Sequence, residues 1–167
     1  MSTAQAPERI NEAPVRGVAT LVSAIVAAAI TLAALLRAPW IAGSAAAALC
    51  ADFCLRAAGR AELSPLAGLS RRLQGSAFRF KKRMITARSK RFAAGIGALM
   101  TALAGASWLL GRIAPLYGFL SVLLLFSFLE AAFRFCAGCK MFALLVRLGL
   151  LREDVCYDCV FPGGEGI

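Results

Sequence analysis

Four long apolar segments dominate the chain, and each has the length of a transmembrane helix. They are residues 15–36, 40–59, 92–110 and 116–135. An α-helix rises about 1.5 Å per residue, so about 20 apolar residues cross the hydrocarbon core of a bilayer. The pattern therefore predicts an all-α fold, namely a four-helix transmembrane bundle.

The polar segments between these spans predict a lead, a loop and a surface helix. Residues 1–14 are polar and predict a flexible N-terminal lead, and residues 60–91 form a long hydrophilic loop. Within that loop, Ser64 and Pro65 have the residue types of a helix cap and first turn, and leucines then recur at helical spacing opposite two arginines. The loop is therefore expected to contain an interfacial helix on the membrane surface.

A second interfacial helix is expected after the fourth span. Residues 140–151 are apolar but too few to cross a bilayer, and they include Arg147. The sequence therefore divides into a membrane domain, residues 15–139, and a terminal part, residues 140–167. That part holds the interfacial helix and a cysteine-containing tail.

Composition supports a membrane protein and restricts its chemistry. The chain is 60% hydrophobic and 17% charged, whereas soluble domains are roughly 45–50% apolar. It contains no histidine, the commonest general base and metal ligand. Catalytic arrangements that require histidine are therefore excluded, whereas cysteine, carboxylate and lysine chemistry stays open.

Basic residues are concentrated in one loop. The following 11 of the chain's 19 lysines and arginines lie between residues 56 and 91: Arg56, Arg60, Arg71, Arg72, Arg79, Lys81, Lys82, Arg83, Arg88, Lys90 and Arg91. Basic loops stay on the cytoplasmic side, so both termini are expected at the cytoplasmic face of the membrane. Beside a bilayer, the expected partners of this loop are anionic lipid headgroups, not nucleic acid.

The C-terminal cysteines have the spacing of a metal site. Cys136 and Cys139 form one C-x-x-C pair, Cys156 and Cys159 form another, and sixteen residues separate them. Four-thiolate zinc sites use this spacing, which makes zinc or another thiophilic metal ion the candidate cofactor. A helix between the pairs would hold them about 20 Å apart. A shared metal site, separate redox pairs and cysteines without a function therefore all stay open.

The second span carries two further cysteines. Small residues recur there at every fourth position: Gly43, Ala47 and Ala51. Cys50 and Cys54 fall beside this stripe and are expected to face protein, whereas Asp52 should point elsewhere. Cys50 and Cys54 are accordingly candidate neighbours of the Cys136 and Cys139 pair, on a reducing face that disfavours permanent disulfides.

Cys136 and Cys139 are the candidate reactive residues. Gly138 between them predicts a tight turn that aims backbone amides at sulfur, and Arg134 and Lys140 are expected to favour the thiolate. The two sulfurs should lie in contact range of each other. The pair is therefore a candidate both for redox chemistry and for metal binding.

Two acids lie inside the predicted spans. Asp52 and Glu130 each precede an arginine by one helical turn, Arg56 and Arg134 respectively. Ionised groups within a membrane need a partner, and residues four apart on a helix can form ion pairs. We expect two intrahelical ion pairs, and a proton or ion path is the alternative.

Several stretches resemble an uncharacterised family of small bacterial membrane proteins, classed as a domain of unknown function. They are "DFCLR", "SPLAGLSRRL", "KRFAAGIGA" and "LEAAFRFCAGC". The most specific element is the F-C-x-G-C ending of the fourth span, matched by Phe135, Cys136, Gly138 and Cys139. The resemblance covers residues 15–145, implies the four-helix fold, and carries no established reaction. The tail motif "VCYDCV" lies outside it.

Three functions fit these observations. The first is a cytoplasmic-side thiol cluster that handles a thiophilic metal ion or a sulfane sulfur. The second is a membrane thiol-disulfide oxidoreductase. The third is a non-catalytic subunit or scaffold that packs against other membrane subunits or a second copy of the chain.

Overall fold

The computed structural model describes residues 9–73, 84–133 and 135–148. Within them, the helices are α1 (Glu12–Leu35), α2 (Pro39–Ala57), α3 (Pro65–Leu73), α4 (Ala87–Leu109), α5 (Ile113–Phe133) and α6 (Ala137–Arg147). Two three-residue strands, β1 (Arg9–Asn11) and β2 (Met84–Thr86), are the exception. The predicted all-α class is confirmed.

Four of the helices are long and apolar enough to cross a membrane. Their spans are Val15–Leu35, Pro39–Ala57, Ser89–Leu109 and Ile113–Phe133, which lie within three residues of the predicted boundaries. Large apolar side chains cover their outer faces, among them Leu32, Leu99, Leu125 and Phe128. Exposed apolar surface on this scale suits lipid and not water, so the chain is a membrane protein.

The four spans close into a ring. Helix α2 packs against α4, α4 against α5, α5 against α1, and α1 against α2. Fully buried side chains fill the centre, including Val22 and Val26 of α1, Ala46 of α2, and Leu116 and Leu120 of α5. Since successive spans alternate in direction, α3, α6 and the two strands all lie at one end of the bundle.

Ring-on-glycine contacts hold α2 against α4. A Cβ atom on Gly97 would lie 2.6 Å from the ring of Phe53, and one on Gly43 would lie 2.3 Å from the indole of Trp108. Any larger residue at either glycine would separate the helices. Small residues therefore set this interface.

The small-residue stripe of α2 differs from the prediction. Its buried face contains Ala42, Gly43, Ala46, Leu49, Asp52 and Phe53, whereas Ala47 and Ala51 are exposed. The expected stripe was therefore wrong beyond Gly43, because the two rings rotate a different face of α2 toward α4. Exposed alanines fit a lipid-facing surface equally well.

A short ribbon orders part of the N-terminal lead. Strand β1 pairs antiparallel with β2, with Ile10 opposite Ile85, and α1 begins at Glu12. The flexible lead predicted for residues 1–14 is therefore too long. The ribbon connects the segment before α1 to the end of the basic loop.

Helix α3 lies against α1. Ala67 and Ser70 are its buried residues, and Leu66 packs against the hydrophobic core. Leu69, by contrast, is 44% exposed. The helix therefore contacts the bundle with one face and leaves part of its leucine stripe outside.

Candidate functional site

The Cys136 and Cys139 pair lies where α5 passes into α6. Cys136 immediately precedes α6, Cys139 lies in its first turn, and the Lys140 amide donates to the Cys136 carbonyl oxygen over 3.1 Å. Both side chains are buried, and they share a hydrogen bond. The two thiols thus lie against each other and are shielded from bulk water.

Gly138 has a different role from the predicted turn. It lies within α6, and a Cβ atom there would stand 2.7 Å from both the Cα and the Cβ of Ala93 on α4. Phe92 and Phe142 reinforce the same contact, with ring centroids 5.6 Å apart. The glycine therefore allows α6 to approach the α4 backbone, which positions both cysteines against the bundle.

The surroundings of the Cys136 thiol favour its protonated form. The pKa of Cys136 is raised above its ordinary value of 9.0 by its hydrogen bond with Cys139, by burial, and by the charge of Glu130, although Lys90 acts in the opposite direction. The expected stabilisation of a thiolate is therefore wrong for Cys136 in the resting state. Of the two cations invoked, Lys140 is exposed and Arg134 lies outside the described residues.

An ion pair between two helices adjoins the thiols. The Lys90 ammonium on α4 contacts Oε1 of Glu130 on α5, and Lys90 also interacts electrostatically with Cys136 and Cys139. The side chains of Lys90 and Glu130 are 17% and 21% exposed. Glu130 thus pairs across the helices with Lys90, whereas its expected partner on α5, Arg134, lies outside the described residues.

The second acid, Asp52, is the centre of a separate polar cluster. Its Oδ1 accepts a hydrogen bond from the Ser64 hydroxyl over 2.6 Å and from the Leu66 amide over 3.3 Å, and its Oδ2 lies 3.0 Å from Nε of Arg56. The Ser64 oxygen in turn accepts from the Ala67 amide. Asp52 and Ser64 together cap the N-terminus of α3 and attach it to α2.

This geometry overturns the predicted orientations of Asp52 and Cys54, whereas Cys50 faces α4 as expected. Asp52 is 3% exposed and faces the bundle, whereas Cys54 is exposed and Cys50 is half-buried. The Cys50 thiol donates to the Ala98 carbonyl oxygen over 3.7 Å. The error follows from the wrong helix face, since a face that buries Asp52 must turn Cys54 outward.

The two described cysteine pairs do not form one site. Among residues 9–73, 84–133 and 135–148, no three histidine, cysteine or acidic side chains are placed to hold one metal ion. Cys50 and Cys54 share a hydrogen bond with each other, as Cys136 and Cys139 do. Cys156 and Cys159, the other candidate ligands, lie outside the described residues.

Two participants were missed by the sequence interpretation. Lys90 was counted only as a loop charge, although it lies one turn before Ala93 at the start of α4. Arg16, near the start of α1, is the second: its Nη2 donates over 2.7 Å to the carbonyl oxygen of Ala131 near the end of α5. An available signal was the presence of cations at the borders of the first and third spans, because an acid on another helix needs a partner there.

Comparison with known proteins identifies a family but no reaction. Residues 10–147 match the family model described as "Domain of unknown function (DUF4395)". The match runs from the first strand to the end of α6 and excludes Cys156 and Cys159. No curated protein and no solved structure matches the chain.

Proposed function

Since the chain belongs to this family of unknown function, we propose its role from the geometry of its own thiols. The protein is a multi-pass membrane protein whose Cys136 and Cys139 form a dithiol that exchanges with a soft sulfur partner, either a disulfide or a sulfane sulfur. The observation that carries the proposal is the contact between these two buried thiols. Such a pair can close into a disulfide without a large movement of the backbone.

The exchange proceeds in two balanced steps. The thiolate of one cysteine attacks an external disulfide, which forms a mixed disulfide and releases one thiol. The second cysteine attacks the mixed disulfide, closes the Cys136 to Cys139 bond and releases the second thiol. The protein gives up two electrons, and its two protons leave on the two products. With a persulfide R–S–SH, the first step yields Cys–S–SH and RSH, and the second releases H2S.

The test uses full-length protein in lipid nanodiscs, reduced and then treated with a low-molecular-weight disulfide such as oxidised glutathione. We expect a loss of two mass units within the Cys136 to Cys139 peptide, reversed by dithiothreitol. Cys139→Ser should stop at a mixed disulfide on Cys136, or Cys136→Ser at one on Cys139. The double variant Cys50→Ala and Cys54→Ala serves as the matched control and should react like wild type.

Stoichiometric binding of a thiophilic metal ion is the result that would replace this proposal. If the reduced protein binds zinc or Cu(I) stoichiometrically and does not react with disulfides, the pair is a metal site. If it does neither, the result supports the scaffold function. In that case subunits or a second copy of the chain should co-purify with wild type and with Cys136→Ser alike.

The proposed location of the dithiol is the cytoplasmic border of a bacterial inner membrane. Supporting this, the basic loop lies at the same end of the bundle as α6, and basic loops are retained in the cytoplasm. Anionic headgroups are the partners of that loop. A cysteine introduced at Arg112, in the opposite turn, should react with an impermeant maleimide in intact cells, and one at Gln74 should not. Labelling at Gln74 would reverse the orientation.

A further inference from the structure

The charged groups that face the dithiol come from separate helices. From α4 comes Lys90, which lies one turn from Ala93, the residue in contact with Gly138. From α5 comes Glu130, which is paired with Lys90. Arg56 of α2 interacts electrostatically with Glu130. On α6 itself, the Cys136 thiol faces Cys139. Among the described residues, Lys90 thus interacts with both the Glu130 carboxylate and the two thiols.

Thiol-disulfide exchange requires a negative charge on one of the two sulfur atoms. The attacking species is a thiolate, and forming an anion where water is excluded is unfavourable without a nearby cation. Glu130 opposes that anion, whereas Lys90 attracts it. In the dithiol form, however, Lys90 is held by Glu130.

We propose that Lys90 is the positioning residue of the dithiol: it pairs with Glu130 at rest and becomes the counter-ion of the thiolate formed at Cys136 or Cys139 during exchange. This inference rests on the proposed function, since it assigns the control of the same site. Glu130 is the competing anion that keeps the thiols protonated until a partner arrives. The Glu130 carboxylate and the thiolate sulfur compete for the Lys90 ammonium, and this competition sets the reactivity of the two cysteines.

The experiment measures the rate of alkylation of Cys136 and Cys139 by iodoacetamide as a function of pH, in full-length protein in nanodiscs, with peptide mass spectrometry to assign the site. Lys90→Gln should slow alkylation at pH 8 by about tenfold and move the midpoint of the profile up by about one pH unit. Lys90→Arg should restore most of the rate, since it keeps the charge. Glu130→Gln should move the midpoint down.

Arg91→Gln is the matched control. Arg91 follows Lys90 on α4, but its guanidinium packs beside Gly59, 2.9 Å from where a Cβ would stand. Removing this charge should leave the midpoint unchanged. The rate at the high-pH plateau reports packing separately, because a loosened site alkylates faster at every pH. If Lys90→Gln fails to fold, Glu130→Gln therefore still tests the inference through its midpoint at an unchanged plateau.

Three outcomes would overturn the role of Lys90. They are an unchanged midpoint in Lys90→Gln, an Arg91→Gln shift as large as that of Lys90→Gln, and a Glu130→Gln midpoint that does not fall. Alkylation by iodoacetamide needs no biological partner. The test of Lys90 is therefore independent of the test of the proposed exchange reaction. If the midpoints shift as stated but oxidised glutathione does not close the disulfide, Lys90 still controls the thiols and the exchange reaction is wrong.

Discussion

Asp52 and Glu130 occupy the same end of the bundle but are stabilised differently. Asp52 is 3% exposed and has partners at both oxygens: Ser64 and Leu66 at one, Arg56 at the other. Glu130 has a side chain that is 21% exposed and pairs with Lys90, which also faces the thiols. A carboxylate held by several donors has a structural role. A carboxylate that shares its cation with thiols can also affect the ionisation of those thiols.

The largest effect on stability should come from Asp52→Asn. The substitution removes the buried carboxylate that pairs with Arg56, whose side chain is 16% exposed, and breaking one side of such an ion pair costs about 3 kcal/mol. Asparagine keeps one oxygen that can accept from Ser64 and Leu66, but its NH2 group then replaces the oxygen that faces Nε of Arg56 and sets two donors against each other. The free energy of unfolding in detergent, measured by denaturant titration, should fall accordingly, while the alkylation midpoint of Cys136 stays unchanged.

Glu62→Gln is the control for Asp52→Asn. Glu62 is exposed, so its effect should stay within about 0.5 kcal/mol. A stability loss at Asp52 no larger than that of Glu62 would remove the distinction between the two acids. Intact stability with lost thiol exchange would instead move Asp52 to a proton or ion path.

The next effect in size should come from Gly138→Ala. The added methyl group collides with the backbone of Ala93, and overpacking of this kind costs about 2 kcal/mol. Because the collision pushes α6 from α4, the thiols should also alkylate faster at the high-pH plateau. Gly95→Ala on α4 has open space around it and should be neutral or slightly stabilising. Equal effects of the two substitutions would contradict the close approach of α6.

Glu130→Gln should be milder than Asp52→Asn. Lys90 and Glu130 are partly exposed, so the loss of the charge pair should cost about 1 kcal/mol. The substitution should nevertheless move the alkylation midpoint, which Asp52→Asn does not. Thermal unfolding in the same detergent checks the order of the two stability losses. A larger loss for Glu130→Gln would contradict the assignment of Asp52 to the structural role and of Glu130 to the control of the thiols.

The smallest effect concerns alkaline pH. The folded protein holds the Cys136 proton more tightly than the unfolded chain, whose thiol titrates near pH 9.0. The stabilisation is therefore complete below that pH and is lost as the pH rises above it, by at most about 1.4 kcal/mol per pH unit. Between pH 8 and pH 10 we expect a decrease of about 1 kcal/mol attributable to this thiol. Cys136→Ala and Cys136→Ser should both lack that component, and a decrease equal to wild type would exclude a buried thiol as its source.

The difference between the two acids also shows how far the sequence can predict the site. Both have an arginine four residues later, so the same local rule predicted an intrahelical pair for each. At Asp52 the structure places Arg56 at the carboxylate, but it adds the cap of α3, which connects residues twelve and more positions apart. At Glu130 the described partner is Lys90, forty residues away. Such pairs cannot be predicted from helical periodicity, because that periodicity relates only residues a few positions apart in the sequence.

The positions of the spans, their number and the concentration of charge in one loop follow from the amino-acid sequence alone, because hydrophobic length and net charge are properties of contiguous residues. The pairing of Cys136 with Cys139 follows in the same way, since their spacing is local. Helix packing, in contrast, is what turns Asp52 inward and Cys54 outward, brings Gly138 against α4, and places Lys90 near the thiols. These features depend on how each helix is rotated in the bundle, and that rotation is set by contacts such as Phe53 on Gly97 and Gly138 on Ala93, which arise only when the helices pack together.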